Sequence, residues 1–145
     1  MFFDDLPVGF VFETESKALP LDEIVDFARQ FDPQSFHTDQ AAAEKGPYGG
    51  IIASGFHTLI TAFVLTLEAN VWREASMGSP GMDRVRWLLP VRPGDELRAR
   101  CTVLESRPSS SRPDRGRTVI RTEILNQKDE LVSEYTATHI LRRSL

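Results

Sequence analysis

Apolar and polar residues alternate with two different periods along the chain: a helical period predominates before residue 80 and a strand-like period after it. Within the segment Leu21–Phe31 the apolar residues recur at helical spacing, as Leu21, Ile24, Val25, Ala28 and Phe31. Pro20 suits the first turn of a helix, and Pro33 disfavours helical geometry at Asp32. The pattern therefore predicts a helix from Leu21 to Phe31.

Two further helices are predicted before residue 80. A short one lies between Thr38, its expected N-cap, and Gly46, which stops it. Ser54 can cap a longer helix from Gly55 to Trp72. Its apolar residues cover most of the circumference, and they are Phe56, Leu59, Ile60, Phe63, Val64, Leu67 and Val71. A helix that is apolar nearly all round must be wrapped by other elements.

The strand-like alternation predicts five strands. They are Phe10–Thr14, Met82–Leu89, Leu97–Val103, Arg117–Asn126 and Leu131–Leu141. Because no helical pattern separates the later strands, their pairing should be antiparallel, with a Ser/Pro/Arg-rich hairpin loop over Arg107–Gly116. A curved antiparallel sheet wrapped around one long helix accounts for this order. We therefore expect residues 1–145 to form a single α+β domain with the hot-dog fold.

Composition narrows the class of protein. The 145 residues suit one domain, and 17 Lys and Arg against 21 Asp and Glu argue against general affinity for nucleic acid or anionic membranes. A single cysteine, Cys101, excludes an intrachain disulfide and a C-x-x-C motif. The acidic N-terminus lacks the positive region of a signal peptide, and polar residues interrupt the apolar stretch Ile51–Val71. A cytoplasmic location is the resulting expectation.

The segment Phe31–Asp39 holds the most informative chemistry. Asp32 and His37 flank a chain that must turn at Pro33, and such a turn can bring a carboxylate and an imidazole to one point. That pair can perform general acid–base chemistry on a shared water near neutral pH. The alternative is an end-of-helix Asp and a solvated loop His, and spacing alone favours this alternative.

The same segment resembles the motif Asp-x-Asn-Pro-x-His of the MaoC-like dehydratase and R-specific enoyl-CoA hydratase family. Asp32 and His37 fall on the family's catalytic Asp and His, and Ala41–Ala43 stands where the family has small residues. Gln34 replaces the Asn and Ser35 replaces the Pro. Gln34 keeps an amide donor and acceptor with a longer reach.

Three other segments resemble the family in the same order along the chain. Asp5–Gly9 is similar to its opening turn, and Val91–Leu97 to the turn that opens a long strand. Gly50–Gly55 resembles the Gly-rich start of its central helix, with Ser54-Gly55 where His-Gly is commoner. The resemblance therefore covers most of the chain.

The resemblance implies a cofactor-free and metal-free lyase of fatty acid metabolism, which hydrates an enoyl-CoA or an acyl-carrier thioester. Asp32 and His37 would hold the water, with Asp32 as base and His37 as acid. The Gly55 N–H, at the positive end of a helix, would polarise the thioester carbonyl. Gln34 and Ser54 are expected to contact the substrate. The resemblance also implies a homodimer or higher homo-oligomer with the active site near the subunit interface.

A CoA substrate carries phosphates, so a net-acidic protein needs a local basic patch to bind it. The hairpin loop has the densest supply of arginine, and Arg112 and Arg115 are our candidates. The alternative is a solvated loop whose arginines contact nothing.

Two other functions use the same fold and substrate. One is a hot-dog thioesterase, for which Glu68 could supply a carboxylate, and the other is a non-catalytic acyl-thioester binding protein. A Ser54–His57 nucleophile pair is outweighed by capping and packing, because no G-x-S-x-G motif is present. His139 is expected to be structural, and Cys101 to be a buried apolar residue. Asp32, His37 and Asp39 match no metal-binding spacing.

Overall fold

A computed structural model describes residues 1–144. Its helices are α1 (Leu21–Phe31), α2 (Ser35–Thr38), α3 (Gln40–Lys45) and α4 (Gly55–Glu68). Its strands are β1 (Val11–Glu13), β2 (Lys17–Ala18), β3 (Gly81–Trp87), β4 (Glu96–Pro108), β5 (Arg115–Leu125) and β6 (Leu131–Arg142). Two single turns of 3₁₀ helix lie at Phe3–Asp5 and Arg73–Ala75.

The strands form one antiparallel sheet in the order β1-β4-β5-β6-β3, and β2 pairs with the start of β4. The predicted antiparallel pairing is confirmed. β3 lies at one edge, and its pairing with β6 shifts register between Asp83 and Arg86. Arg84, inside this irregularity, has a left-handed φ of 55°. The edge strand therefore leaves regular geometry shortly before Trp87.

The order of helices before α4 differs from the prediction in one detail. α1 has the predicted bounds, because Pro33 prevents its continuation. The expectation of Thr38 as N-cap is wrong: Thr38 ends α2, and the Asp39 carboxylate accepts a hydrogen bond from Ala42 N at 3.1 Å to cap α3. The single turn of α2 is too short for its apolar residues to show a period.

α4 packs on the sheet through one face only. Its buried face carries Ala62, Leu65 and several threonines. Its opposite face is apolar but 41–60% exposed, and consists of Phe56, Ile60, Phe63 and Val64. One sheet covers one side of a helix, so the sheet alone leaves the apolar outer face of α4 unexplained. The helix also ends at Glu68 instead of Trp72, and Asn70 takes a left-handed φ of 53° beyond it.

The core lies between α4 and the inner face of the sheet. On β4 the alternating inward residues are Leu97, Ala99, Cys101 and Val103. Burial raises the pKa of the Cys101 thiol to about 11, which fits the predicted apolar role. Within residues 1–144, every helix falls short of the length and apolar character that crossing a membrane requires.

Candidate active site

Asp32 lies directly after the last turn of α1. Its backbone N–H donates to Ala28 O at 2.8 Å and completes the helix, and Pro33 then turns the chain away. The side chain is only 15% exposed. The helix end therefore presents a carboxylate at the wall of a cavity.

α2 positions His37 opposite this carboxylate. The imidazole is 4% exposed, its Nδ1 lies 2.7 Å from Ile52 O, and its Nε2 lies 3.2 Å from Asp32 Oδ2. The structure thus brings together the two side chains that the sequence motif singled out.

These contacts restrict where the His37 proton can be. A carbonyl oxygen only accepts, so Nδ1 must carry a hydrogen and donate to Ile52 O. Nε2 then faces a carboxylate oxygen, and that contact is attractive only when a proton lies between the two groups. Asp32 and His37 can therefore hold one exchangeable proton, which is the requirement for general acid–base chemistry.

The neighbours of Asp32 favour its charged form. Partial burial works to raise its pKa, but hydrogen bonds from Ser54 and Gln34 and the charge of His37 outweigh burial and leave the pKa below its ordinary value. Ser54 Oγ donates to Oδ2 at 2.7 Å, and Gln34 Nε2 donates to Oδ1 at 2.7 Å. Ser54 and Gln34, expected to contact substrate, thus each use a donor to hold Asp32.

Asp32 and His37 line a cavity of about 420 Å³. Gln34, Tyr48 and Gly55 also reach it. The rest of the wall is apolar except for Thr58, and its apolar residues are Phe36, Ile52, Ala53, Phe56, Trp87, Leu88, Leu89, Pro90, Val91 and Val132. A polar pair at the side of an apolar cavity suits a ligand with one reactive group and a hydrocarbon portion.

The start of α4 forms another part of this wall. Ser54 Oγ caps the helix by accepting from Phe56 N at 3.3 Å while it donates to Asp32. The next residue, Gly55, lies against the indole of Trp87, and a Cβ at position 55 would collide with that ring. Glycine is required here by close approach of the ring, and a helix start carries backbone N–H groups without partners inside the helix.

Several cavity residues were not predicted as part of a site. Trp87 and Leu88–Pro90 were expected only as the end of a strand, and Tyr48 only as part of a loop. Leu88 N and Leu89 N both donate to Val132 O, at 2.9 and 3.2 Å, which bends this segment over the cavity. The approach of Pro90 was the one available signal that the strand would end there.

The structure does not bring Arg112 and Arg115 to this cavity. Arg115 pairs with Arg142 at one end of β6, whereas Val132, at the other end, lines the cavity. That separation is roughly 30 Å along the strand. Arg115 also donates to the Asp114 carboxylate at 2.9 and 3.1 Å. Within one chain these arginines are therefore too distant to contact a ligand beside Asp32.

The remaining candidates lie elsewhere. His57 stacks on Phe27 at 4.3 Å, and its partner in the discarded nucleophile pair, Ser54, bonds to Asp32. His139 packs on Trp72, and burial lowers its pKa to about 4. Glu68 is exposed at the end of α4. Among residues 1–144, no group of three His, Cys, Asp or Glu side chains is arranged to hold a metal ion.

Comparison with known proteins shows the family of this chain. The MaoC like domain family matches residues 7–124, which is most of the chain. The chain belongs to the MaoC-like family. Membership supports a hydratase or dehydratase in the broad sense.

Individual known proteins are similar over nearly the whole chain. The uncharacterised protein YdeM of Bacillus subtilis (strain 168) is 34% identical over 143 residues, which is 99% of this chain and 100% of that protein. The crystal structure of the MaoC-like dehydratase from Rhodospirillum rubrum is 37% identical, with a TM-score of 0.93 over 100% of this chain and 99% of that one. R-hydratase PhaJ1 from Pseudomonas aeruginosa is 23% identical, with a TM-score of 0.73 over 99% and 90% of the two chains, and shares the fold. The predicted hot-dog fold is confirmed.

Proposed function

We propose that this MaoC-like protein is an enoyl-thioester hydratase/dehydratase, which adds water to a trans-2-enoyl-CoA or acyl-carrier ester. The observation that carries the proposal is the contact of 3.2 Å between His37 Nε2 and Asp32 Oδ2 at an apolar cavity. The family, which includes the Rhodospirillum rubrum dehydratase, supports this reaction class. Two solved structures of similar fold are named as R-hydratases.

The reaction divides into two proton transfers. Asp32, held as a carboxylate by Ser54 and Gln34, accepts a proton from water as the water oxygen bonds to C3. Electrons of the double bond move toward the thioester oxygen, and the imidazolium of His37 gives its Nε2 proton to C2. Proton transfer from Asp32 to His37 then restores the pair. Dehydration follows the same steps in reverse.

The thioester carbonyl gains negative charge as water adds. The Gly55 N–H, in the first turn of α4, is the donor that stabilises this oxygen. The acyl chain occupies the apolar part of the cavity, against residues such as Leu88 and Val132. Asp32 thus activates the water that attacks C3. His37 protonates C2, and the start of α4 stabilises the carbonyl oxygen.

A crotonyl-CoA assay tests the proposal. We expect the ultraviolet absorbance of the conjugated thioester to fall while a thiol reagent detects no free CoA. Release of thiol would indicate a thioesterase instead. Binding of the ester without either change would indicate a non-catalytic thioester-binding protein.

A further inference from the structure

Trp87 is held at the cavity by its backbone and by one aromatic neighbour. It is the last residue of β3 and pairs with Ser133, whose Oγ donates to Arg86 O at 2.7 Å. The indole is 49% exposed and packs edge-to-face with Phe56 at 5.8 Å. The ring therefore has a defined orientation although it lies at the edge of the sheet.

The face of the indole ring, near the bond between Nε1 and Cε2, lies against the start of α4. Of all atoms around Gly55, Trp87 Nε1 is the one that an added Cβ would approach most closely, ahead of Cε2 and Cδ1. Cε2 is the carbon that joins Nε1 to the benzene ring, so the contact is centred on the nitrogen side of the indole. The contact with Gly55 thus brings a hydrogen-bond donor, rather than only apolar surface, to this point.

Two donors at this point lack a protein partner. Among the hydrogen bonds of residues 1–144, neither the Gly55 N–H nor the Trp87 Nε1–H takes part. Standard bond lengths and the contact with Gly55 place these nitrogens no more than about 5 Å apart. Two donors that each lie about 2.9 Å from one oxygen are separated by less than about 6 Å. The spacing of the two nitrogens therefore suits a shared acceptor oxygen.

We infer that Trp87 is a catalytic residue that supplies a second donor to the thioester carbonyl, beside the Gly55 N–H. The inference rests on the proposed hydratase function. As water adds at C3, the carbonyl oxygen gains negative charge, and its hydrogen bonds to Nε1–H and to the Gly55 N–H strengthen. Both donors are fixed before the reaction begins, so little reorganisation accompanies the charge.

Trp87→Phe tests this role, because phenylalanine keeps an aromatic ring and removes the N–H. Trp72→Phe is the matched control: Trp72 is buried beside His139 and does not line the cavity. A third variant carries the sulfur isostere of tryptophan, 3-benzothienylalanine, at position 87. It removes only the N–H, so it keeps the test decisive if the phenylalanine variant folds poorly.

Two readouts are needed, hydration kinetics and the infrared C=O stretch of bound, carbonyl-labelled butyryl-CoA. Loss of one such donor in a closed site lowers kcat about 10²–10³-fold, and water can partly replace it at a half-exposed ring. We expect kcat to fall about 10–10²-fold with KM changed less than about threefold, and the C=O stretch to move toward its value in solution. The control should change neither.

An unchanged C=O stretch in the isostere variant would overturn the inference, even if kcat falls, because it would reduce Trp87 to a steric role. Equal kcat in parent and isostere would overturn it as well. Failure of the proposed function is distinguishable, since the parent would then not hydrate crotonyl-CoA, whereas the infrared measurement uses a saturated ester and needs no turnover.

Discussion

At the scale of single residues, the charge of Asp32 is controlled by two side chains. Ser54 and Gln34 each donate to one carboxylate oxygen at 2.7 Å, and together with His37 they outweigh the effect of burial on its pKa. The family motif made Asp32 and His37 predictable from the sequence. The Ser54 bond was not, because it joins residues 22 positions apart and depends on how α1 and α4 pack.

Ser54→Ala should shift the pH dependence of the reaction. The Ser54 hydroxyl stabilises the carboxylate of Asp32, so its removal raises the pKa of that group. Asp32 must be ionised to accept a proton from water. We therefore expect the acidic limb of the kcat/KM profile to move to higher pH, with activity lost first in acid.

Asp39→Ala is the matched control for this variant, since Asp39 caps α3 without contacting Asp32. Both substitutions remove an N-cap and should cost about 1 kcal/mol of unfolding free energy. Only Ser54→Ala should move the acidic limb. A common profile for both variants would show that Ser54 does not tune the carboxylate.

Gly55→Ala should damage activity more than stability. The added methyl group collides with the indole of Trp87, but that ring is half exposed and can turn away, so we expect the melting temperature to fall by less than about 4 °C. Because the methyl group and the displaced ring disturb the carbonyl site, kcat should fall at least about tenfold.

Gly116→Ala provides the contrast, because its methyl group would meet the buried ring of Phe3, away from the cavity. It should lower the melting temperature further while kcat per folded molecule stays normal. If the Gly55→Ala enzyme has the parental kcat, the start of α4 has no role in the mechanism.

At the scale of elements, the helices and strands were predicted correctly where prolines or a clear apolar alternation mark them. Pro20 and Pro33 fixed both ends of α1, and alternation identified the long strands. Prediction failed at α2, whose four residues have no detectable period. It also failed at the hairpin, since pairing continues to Pro108 and resumes at Arg115, and leaves a shorter loop far from the cavity.

The placement of the hairpin leads to a prediction for CoA binding. Because Arg112 and Arg115 lie at the far end of the sheet from Val132, the double variant Arg112→Gln/Arg115→Gln should keep the parental KM for crotonyl-CoA at low salt. The measurement is steady-state kinetics at two salt concentrations. If the double variant has a higher KM than the parent at low salt, and this difference disappears at high salt, the hairpin must reach a CoA phosphate across a subunit interface.

At the scale of the whole molecule, one apolar surface is left uncovered by residues 1–144. It comprises the outer face of α4 and the start of the edge strand β3, with Phe56, Ile60, Phe63, Val64 and Met82 each 41–60% exposed. The all-round apolarity of α4, explained from the sequence by a wrapping sheet, is better explained by a second subunit on this surface. An unpaired edge strand beside it strengthens the proposal of a homodimer.

Ile60→Glu should dissociate this dimer, because a charge at the centre of the apolar surface would be buried without a partner. Light scattering at micromolar concentration should give twice the chain mass for the parent and a single mass for the variant. Leu104→Glu, on a partly exposed position of β4, should leave the parental mass unchanged. A monomeric parent would contradict the proposal.

The central claim is that Asp32 and His37 hydrate the substrate as one unit. The most direct measurement is kcat/KM for crotonyl-CoA in Asp32→Asn, His37→Ala and the double variant, each with its melting temperature. We expect each single substitution to cost about 10²–10⁴-fold, and the double variant to cost far less than the product of the two losses. A folded single variant with near-parental kcat/KM would contradict the account.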